Sequence, residues 1–132
     1  KKAIESHPMS SKITMFEGSS IDEDMIKRVH EFAKQGKKIM IFLDSMHSHD
    51  HVLEELKAYA NLTSVGSYCV VFDTLIEDRP KGFYNRPWDK GDNPKTAVWE
   101  YLKDSDNFII DENIDNKILI SVAPEGYLKR VR

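Results

Sequence analysis

The stretch "KIMIFLDSMHSHDHVLEELKAYAN", residues 38–61, changes its hydrophobic period at Asp44. Before it, Ile39 to Leu43 form an unbroken apolar run, too short for a helix and typical of a strand covered on both faces. After it comes a turn crowded with His47, His49 and His51. Beyond that turn, Val52, Leu53, Leu56, Tyr59 and Ala60 recur at helical spacing and predict a buried helix face over 50–61. A second strand-like run, "SYCVVFDTL" (67–75), follows, rich in β-branched and aromatic residues. Strand, helix, strand in that order is a β-α-β crossover, right-handed and closing a parallel pair. The fold class that follows is α/β, and in such sheets ligands bind beyond the carboxyl ends of the strands.

Working outward, "KITMF" (12–16) reads as a short strand. "EGSSIDEDMIKRVHEFAKQG" (17–36) reads as a turn entering a helix. Ile21, Met25, Ile26, Val29, Phe32 and Ala33 share one helical face, Ser20 and Glu23 have capping-box spacing, and Gly36 stands where a glycine stop belongs. Downstream, the polar loop "IEDRPKGFYNRPWDKGDN" (76–93) leads to Asn93 as a cap and Pro94 at the first position of a helix ending near Lys103. "NFIID" (107–111) and "KILISVA" (117–123) predict a closing pair of strands joined by a turn at "ENIDN", with a basic tail after them.

The composition narrows the function classes. The chain has 132 residues, 40% of them apolar, which suffices for one small domain with a real core. With 19 basic against 22 acidic residues the net charge is −3, so there is no electrostatic footprint for nucleic acid and no polybasic surface for a membrane. No apolar run approaches a membrane-spanning length, and "KKAIESHPMSSK" has no signal-peptide core. The lone Cys69 rules out a disulfide framework, so a cytoplasmic protein is expected. The start without methionine suggests a domain truncated at its amino end over residues 1–132.

Two predicted strands end in aspartate, "FLD" at Asp44 and "VFD" at Asp73. If those strands are neighbours, about 4.8 Å apart, the two carboxylates converge on one point at the ligand-binding edge, a seat for a hard cation. Either residue otherwise serves as a turn or cap residue. "HSHDH" (47–51) nearly spells the histidine run of metallo-β-lactamase-type zinc hydrolases but is one residue short, and no histidine follows His51. The plainer reading makes Ser48 or Asp50 a helix cap and leaves His49 and His51 on the surface of the first turn.

Three blocks carry a resemblance. "KKIMIFLDSMHSHDHVLEELKAYANLTSVGSYCVVFDTLIED", "RPWDKGDNPKTAVWEYL" and "ILISVAPEGYLKR", in this order and spacing, resemble the cephalosporin hydroxylase and rhamnosyl O-methyltransferase family. The resemblance covers nearly the whole chain. It implies a Rossmann-like sheet related to catechol O-methyltransferase, here its carboxyl-terminal portion with a closing antiparallel hairpin, with S-adenosylmethionine as cofactor and Mg²⁺ at the strand ends. By the same resemblance Asp44 and Asp73 are the metal carboxylates, and Glu17, Gly18, Ser19 and Ser20 lie beside the adenine. His47 takes the place where catechol-type enzymes put a lysine base. Residues 1–9 resemble the helix after the second strand, so the glycine-rich first strand is missing.

Mg²⁺ takes oxygen ligands and keeps positions open for water or substrate, and a hydroxyl bound to it loses its proton more easily. A histidine with a reference pKa near 6.5 can accept that proton within hydrogen-bond reach. Arg86 and Trp88 would grip and stack on a sugar ring, unless Trp88 only anchors its loop. The expected activity is metal-assisted O-methyl transfer to a sugar-like hydroxyl, with the oligomeric state left open. Two alternatives stand beside it. One is a hydroxylase, which would need iron on His47, His49 and Asp44. The other is a non-catalytic α/β binding module.

Overall fold

In the computed structural model, which describes residues 2–132, the chain passes through five α-helices and four strands. They are α1 (Lys2–Glu5), α2 (Glu23–Ala33), β1 (Ile41–Leu43), α3 (His49–Tyr59), β2 (Tyr68–Val71), α4 (Pro94–Lys103), β3 (Phe108–Ile110), α5 (Glu112–Ile118) and β4 (Tyr127–Arg130). The strands form one mixed sheet in the order β1-β2-β4-β3. β1 and β2 are parallel, with Leu43 opposite Val71, as the crossover predicts. β4 runs antiparallel to both of its neighbours, β2 and β3.

The period of each segment explains what it buries. Val52, Leu53, Leu56 and Tyr59 of α3, with Ala97, Val98 and Tyr101 of α4, pack over Leu43, Cys69, Val71, Phe108 and Leu128 of the sheet. β2 is an inner strand, and Cys69, Val70 and Val71 are all buried. Burial pushes the Cys69 thiol up to about 12, because a thiolate there would lose its hydration. α4 starts as its sequence predicts. The Asn93 side chain accepts from the backbone of Lys95 and Thr96, the Thr96 hydroxyl accepts from the Asn93 backbone N–H, and Pro94 takes the first helical position.

Two devices tie the carboxyl end of the sheet to the helices. The buried Lys95 ammonium donates to both oxygens of Asp78, at 2.9 and 2.8 Å, and to Glu125 at 3.1 Å, linking the segment after β2, α4 and the turn before β4. At that turn a Cβ on residue 126 would lie 2.2 Å from the Val71 carbonyl, so only Gly126 lets β4 enter beside β2.

Several expectations fail for physical reasons. Residues 12–16 form no strand: a 3₁₀ turn covers Ser10–Lys12, and the extended residues after it find no ladder to join. α2 begins at an Asp22 cap position, not at Ser20, because the Ser20 hydroxyl is engaged with His51. Gly36 does not terminate it, since α2 already ends at Ala33 with Lys34 still helical in φ and ψ. β1 is covered on one face only: Leu43 packs under α3 and α4, while Phe42, pointing to the opposite face, is 59% exposed. "KILISVA" is not a strand. α5 runs through Ile118, Leu119 adopts φ 64, and Ile120 is 90% exposed. The second strand of the closing antiparallel pair is the basic segment Tyr127–Arg130, read as a tail, whose Leu128 fits between the inner residues of β2 and β3.

Candidate metal and acceptor site

β1 and β2 deliver their terminal aspartates to the same edge. The Phe72 N–H donates to the Leu43 carbonyl at 3.0 Å, carrying the ladder one residue past β2. Asp73 then leaves the strand conformation, with φ 56 and ψ 21 in the left-handed region, where aspartate is among the few tolerated side chains. His47, in the turn before α3, sets Nε2 2.7 Å from Asp73 Oδ2. One donor atom each from Asp44, His47 and Asp73 lies within 4.8 Å of the others, and among the described residues no other such trio forms. Two carboxylates and an imidazole suit a divalent cation.

The loop after β2 builds a wall beside this trio. The Trp88 ring lies 5.0 Å from the His47 ring, tilted by 31°, and the Arg86 guanidinium stands 6.0 Å from the Trp88 centroid. His47, Asp73, Ile76, Tyr84, Arg86 and Trp88 line a cavity of about 380 Å³, large enough for a monosaccharide. The loop is braced from behind. Asp89 accepts from the Gly82 and Lys90 N–H groups at 2.7 Å, which holds its carboxyl below the usual range. Glu77 accepts from Gly91 and from the Asn93 amide. A long polar loop thus has a fixed shape.

The other two histidines of the cluster stand in the first turn of α3 but are half-buried there, not surface residues. His49 donates its backbone N–H to Asp92 at 2.7 Å, and its ring bridges Thr96 at 2.8 Å and Glu100 at 3.2 Å, docking α3 on α4. Both of its ring nitrogens are therefore engaged, so neither a zinc triad nor a two-histidine iron site assembles from His47, His49 and Asp44. Ser48 occupies the cap position of α3 without a side-chain capping bond. His51 Nε2 lies 3.1 Å from the Ser20 hydroxyl and 3.6 Å from Glu55 Oε1.

The segment expected beside the adenine lies at the free edge of β1. Gly18 and Ser20, with Phe16, Met25, Phe42 and Tyr59, border a cleft of about 310 Å³, while Glu17 and Ser19 stay exposed. Gly18 has φ 148, and a Cβ there would meet the Met25 methyl at 2.8 Å. The Tyr59 hydroxyl donates to the Ser20 carbonyl. Glu55, buried in the wall of this cleft, accepts from Ser45 at 2.7 Å through Oε1, and its Oε2 has no partner. Sequence reasoning missed Tyr84, Ser45 and Glu55. For Glu55 a signal existed, since it follows His51 by one helical turn; for Tyr84, in an aperiodic loop, there was none.

A family model described as rhamnosyl O-methyltransferase/CmcI matches residues 1–131. Curated relatives named rhamnosyl O-methyltransferase, from Mycobacterium tuberculosis and Mycobacterium bovis, are each 33% identical over 122 residues, covering 89% of this chain and 47% of theirs. The chain spans about half the length of these relatives. No solved structure matches it. The resemblance carried by the three blocks, from "KKIMIFLD" through "RPWDKGDNP" to "ILISVAPEGYLKR", is thereby confirmed: the chain belongs to the rhamnosyl O-methyltransferase/CmcI family.

Proposed function

We propose that the protein is an S-adenosylmethionine-dependent, divalent-metal-assisted O-methyltransferase acting on a hydroxyl of a sugar, with a rhamnosyl group as the first candidate. The observation that carries this reading is the convergence of Asp44 and Asp73 at the ends of neighbouring parallel strands, beside a cavity walled by Trp88 and Arg86. The parallel β1-β2 pair and the antiparallel β4 inserted beside it are what a Rossmann-like methyltransferase sheet with a closing hairpin requires. Asp44 and Asp73 would hold the ion, which supplies acidification of the acceptor hydroxyl. Trp88 offers a ring face for stacking on a sugar, Arg86 donates to its hydroxyls, and the braced loop keeps water from the attacking oxygen. Gly18 and Ser20 would line the adenine side of the donor, with Glu17 and Ser19 at its rim. Transfer then depends on alignment of hydroxyl and methyl donor. The same reading takes the protein to be cytoplasmic, with small molecules as its partners.

The test uses the full-length protein, a rhamnoside acceptor and S-adenosylmethionine carrying a labelled methyl group. Label should appear in the acceptor and its transfer should stop on chelation. Asp44→Ala and Asp73→Ala should each lower turnover by about 10²-fold or more with circular dichroism unchanged. Chelator-insensitive transfer, or full activity in both variants, would refute the reading.

A further inference from the structure

Glu55 stands on the face of α3 that carries Val52, Leu56 and Tyr59 into the core, and it is only 3% exposed. A carboxylate placed there costs stability unless its oxygens find donors. Oε1 has one in the Ser45 hydroxyl at 2.7 Å, and His51 Nε2 lies 3.6 Å from it. Oε2 is buried with no partner among the described residues, and the Glu55 side chain borders the cleft of about 310 Å³ at the free edge of β1.

The other polar groups at that cleft are already engaged. The Ser20 hydroxyl meets His51 Nε2 at 3.1 Å, and the Ser20 carbonyl accepts from the Tyr59 hydroxyl. Met25, Phe42 and the Tyr59 ring make the walls largely apolar. Apolar walls with one open acceptor suit a flat aromatic heterocycle that carries an N–H group on its edge. A ribose or an amino-acid moiety suits them poorly, because its several polar groups would leave water and share a single partner.

We propose that Glu55 determines which base the methyl donor carries, its Oε2 accepting a hydrogen bond from the exocyclic 6-amino group of the purine. The inference rests on the S-adenosylmethionine reading above and adds to it the group that selects adenine. The Ser45 bond holds the carboxylate in the rotamer that brings Oε2 to the cleft. A hypoxanthine base, with a carbonyl in place of the amine, sets acceptor against acceptor, so it is rejected by repulsion as well as by the lost bond.

The experiment is calorimetric titration of the full-length protein with S-adenosylhomocysteine and with S-inosylhomocysteine. Wild-type protein should bind the adenosyl compound at least about tenfold more tightly. Glu55→Gln presents an N–H group as well as a carbonyl, so it should weaken adenosyl binding, spare inosyl binding and bring the two within about threefold. Glu55→Asp keeps the charge but withdraws it by one methylene, and should fall between; it serves as the second variant if Glu55→Gln does not fold. Equal wild-type affinity for the two compounds would overturn the proposal. So would a preference that survives both substitutions, or an equal loss for both compounds, which would make Glu55 a structural residue only. Any of these with the adenosyl compound still bound by the wild type removes this inference alone. Binding of neither compound removes the S-adenosylmethionine reading beneath it as well.

Discussion

His47, His49 and His51 alternate along five residues of one turn and helix start, and each serves a different neighbour: the aspartate after β2, the side of α4, and a serine before α2. Nothing local separates them, since these partners come from segments 26 to 51 residues away in the chain. The two aspartates were legible because each closes a recognisable strand. The aim of Asp73 was not, because it depends on a left-handed backbone that aspartate tolerates without advertising it. Cys69 gives a measurable residue-scale consequence of burial. With its thiol raised to about 12, the thiolate fraction at pH 8 is about 10⁻⁴, so the native protein should leave a disulfide reagent unreacted, while denaturant should release one thiol equivalent. Because the folded value lies above the unfolded one, about 8.5, the neutral thiol's contribution to stability is full below pH 8.5 and declines as the pH climbs toward 12. Rapid labelling of folded protein at pH 8 would contradict this.

Elements with a complete local signature were the readable ones. α4 carries its cap, its proline and its apolar face in ten consecutive positions, and it forms where its sequence says. Asn93→Ala should cost about 1–2 kcal/mol of stability by urea unfolding, at the upper end because Glu77 and the Asp89 carbonyl lose their amide partner as well. A loss below about 0.3 kcal/mol would mean that the cap contributes little beyond what water supplies. Strands were harder to read. Both "KITMF" and "KILISVA" have β-forming composition, yet a strand exists only where a neighbour offers unpaired backbone in register. That neighbour was available to "YLKR", because Gly126 allows the approach to Val71, and not to the more apolar segment before it.

At the scale of the whole molecule, helices α3 and α4 cover one face of the sheet, and β1 is left as an open edge bearing the exposed Met40 and Phe42. An edge of that kind is a template for further strands. A chain of these 132 residues should therefore associate with rising concentration in sedimentation velocity, and Phe42→Lys should shift it toward monomer. A strictly monomeric wild type would show that the edge is already protected. The interleaving of β4 between β2 and β3 has another outcome, in the order in which the protein is made. Residues 108–110 leave the ribosome well before residues 127–130, but they have no strand to pair with until the later segment arrives and lies between them and β2. Everything from Asp44 to Trp88 is synthesised before then, so the site's residues must wait, with β2 unsupported on one side, for a tetrapeptide that lines no part of their cavity.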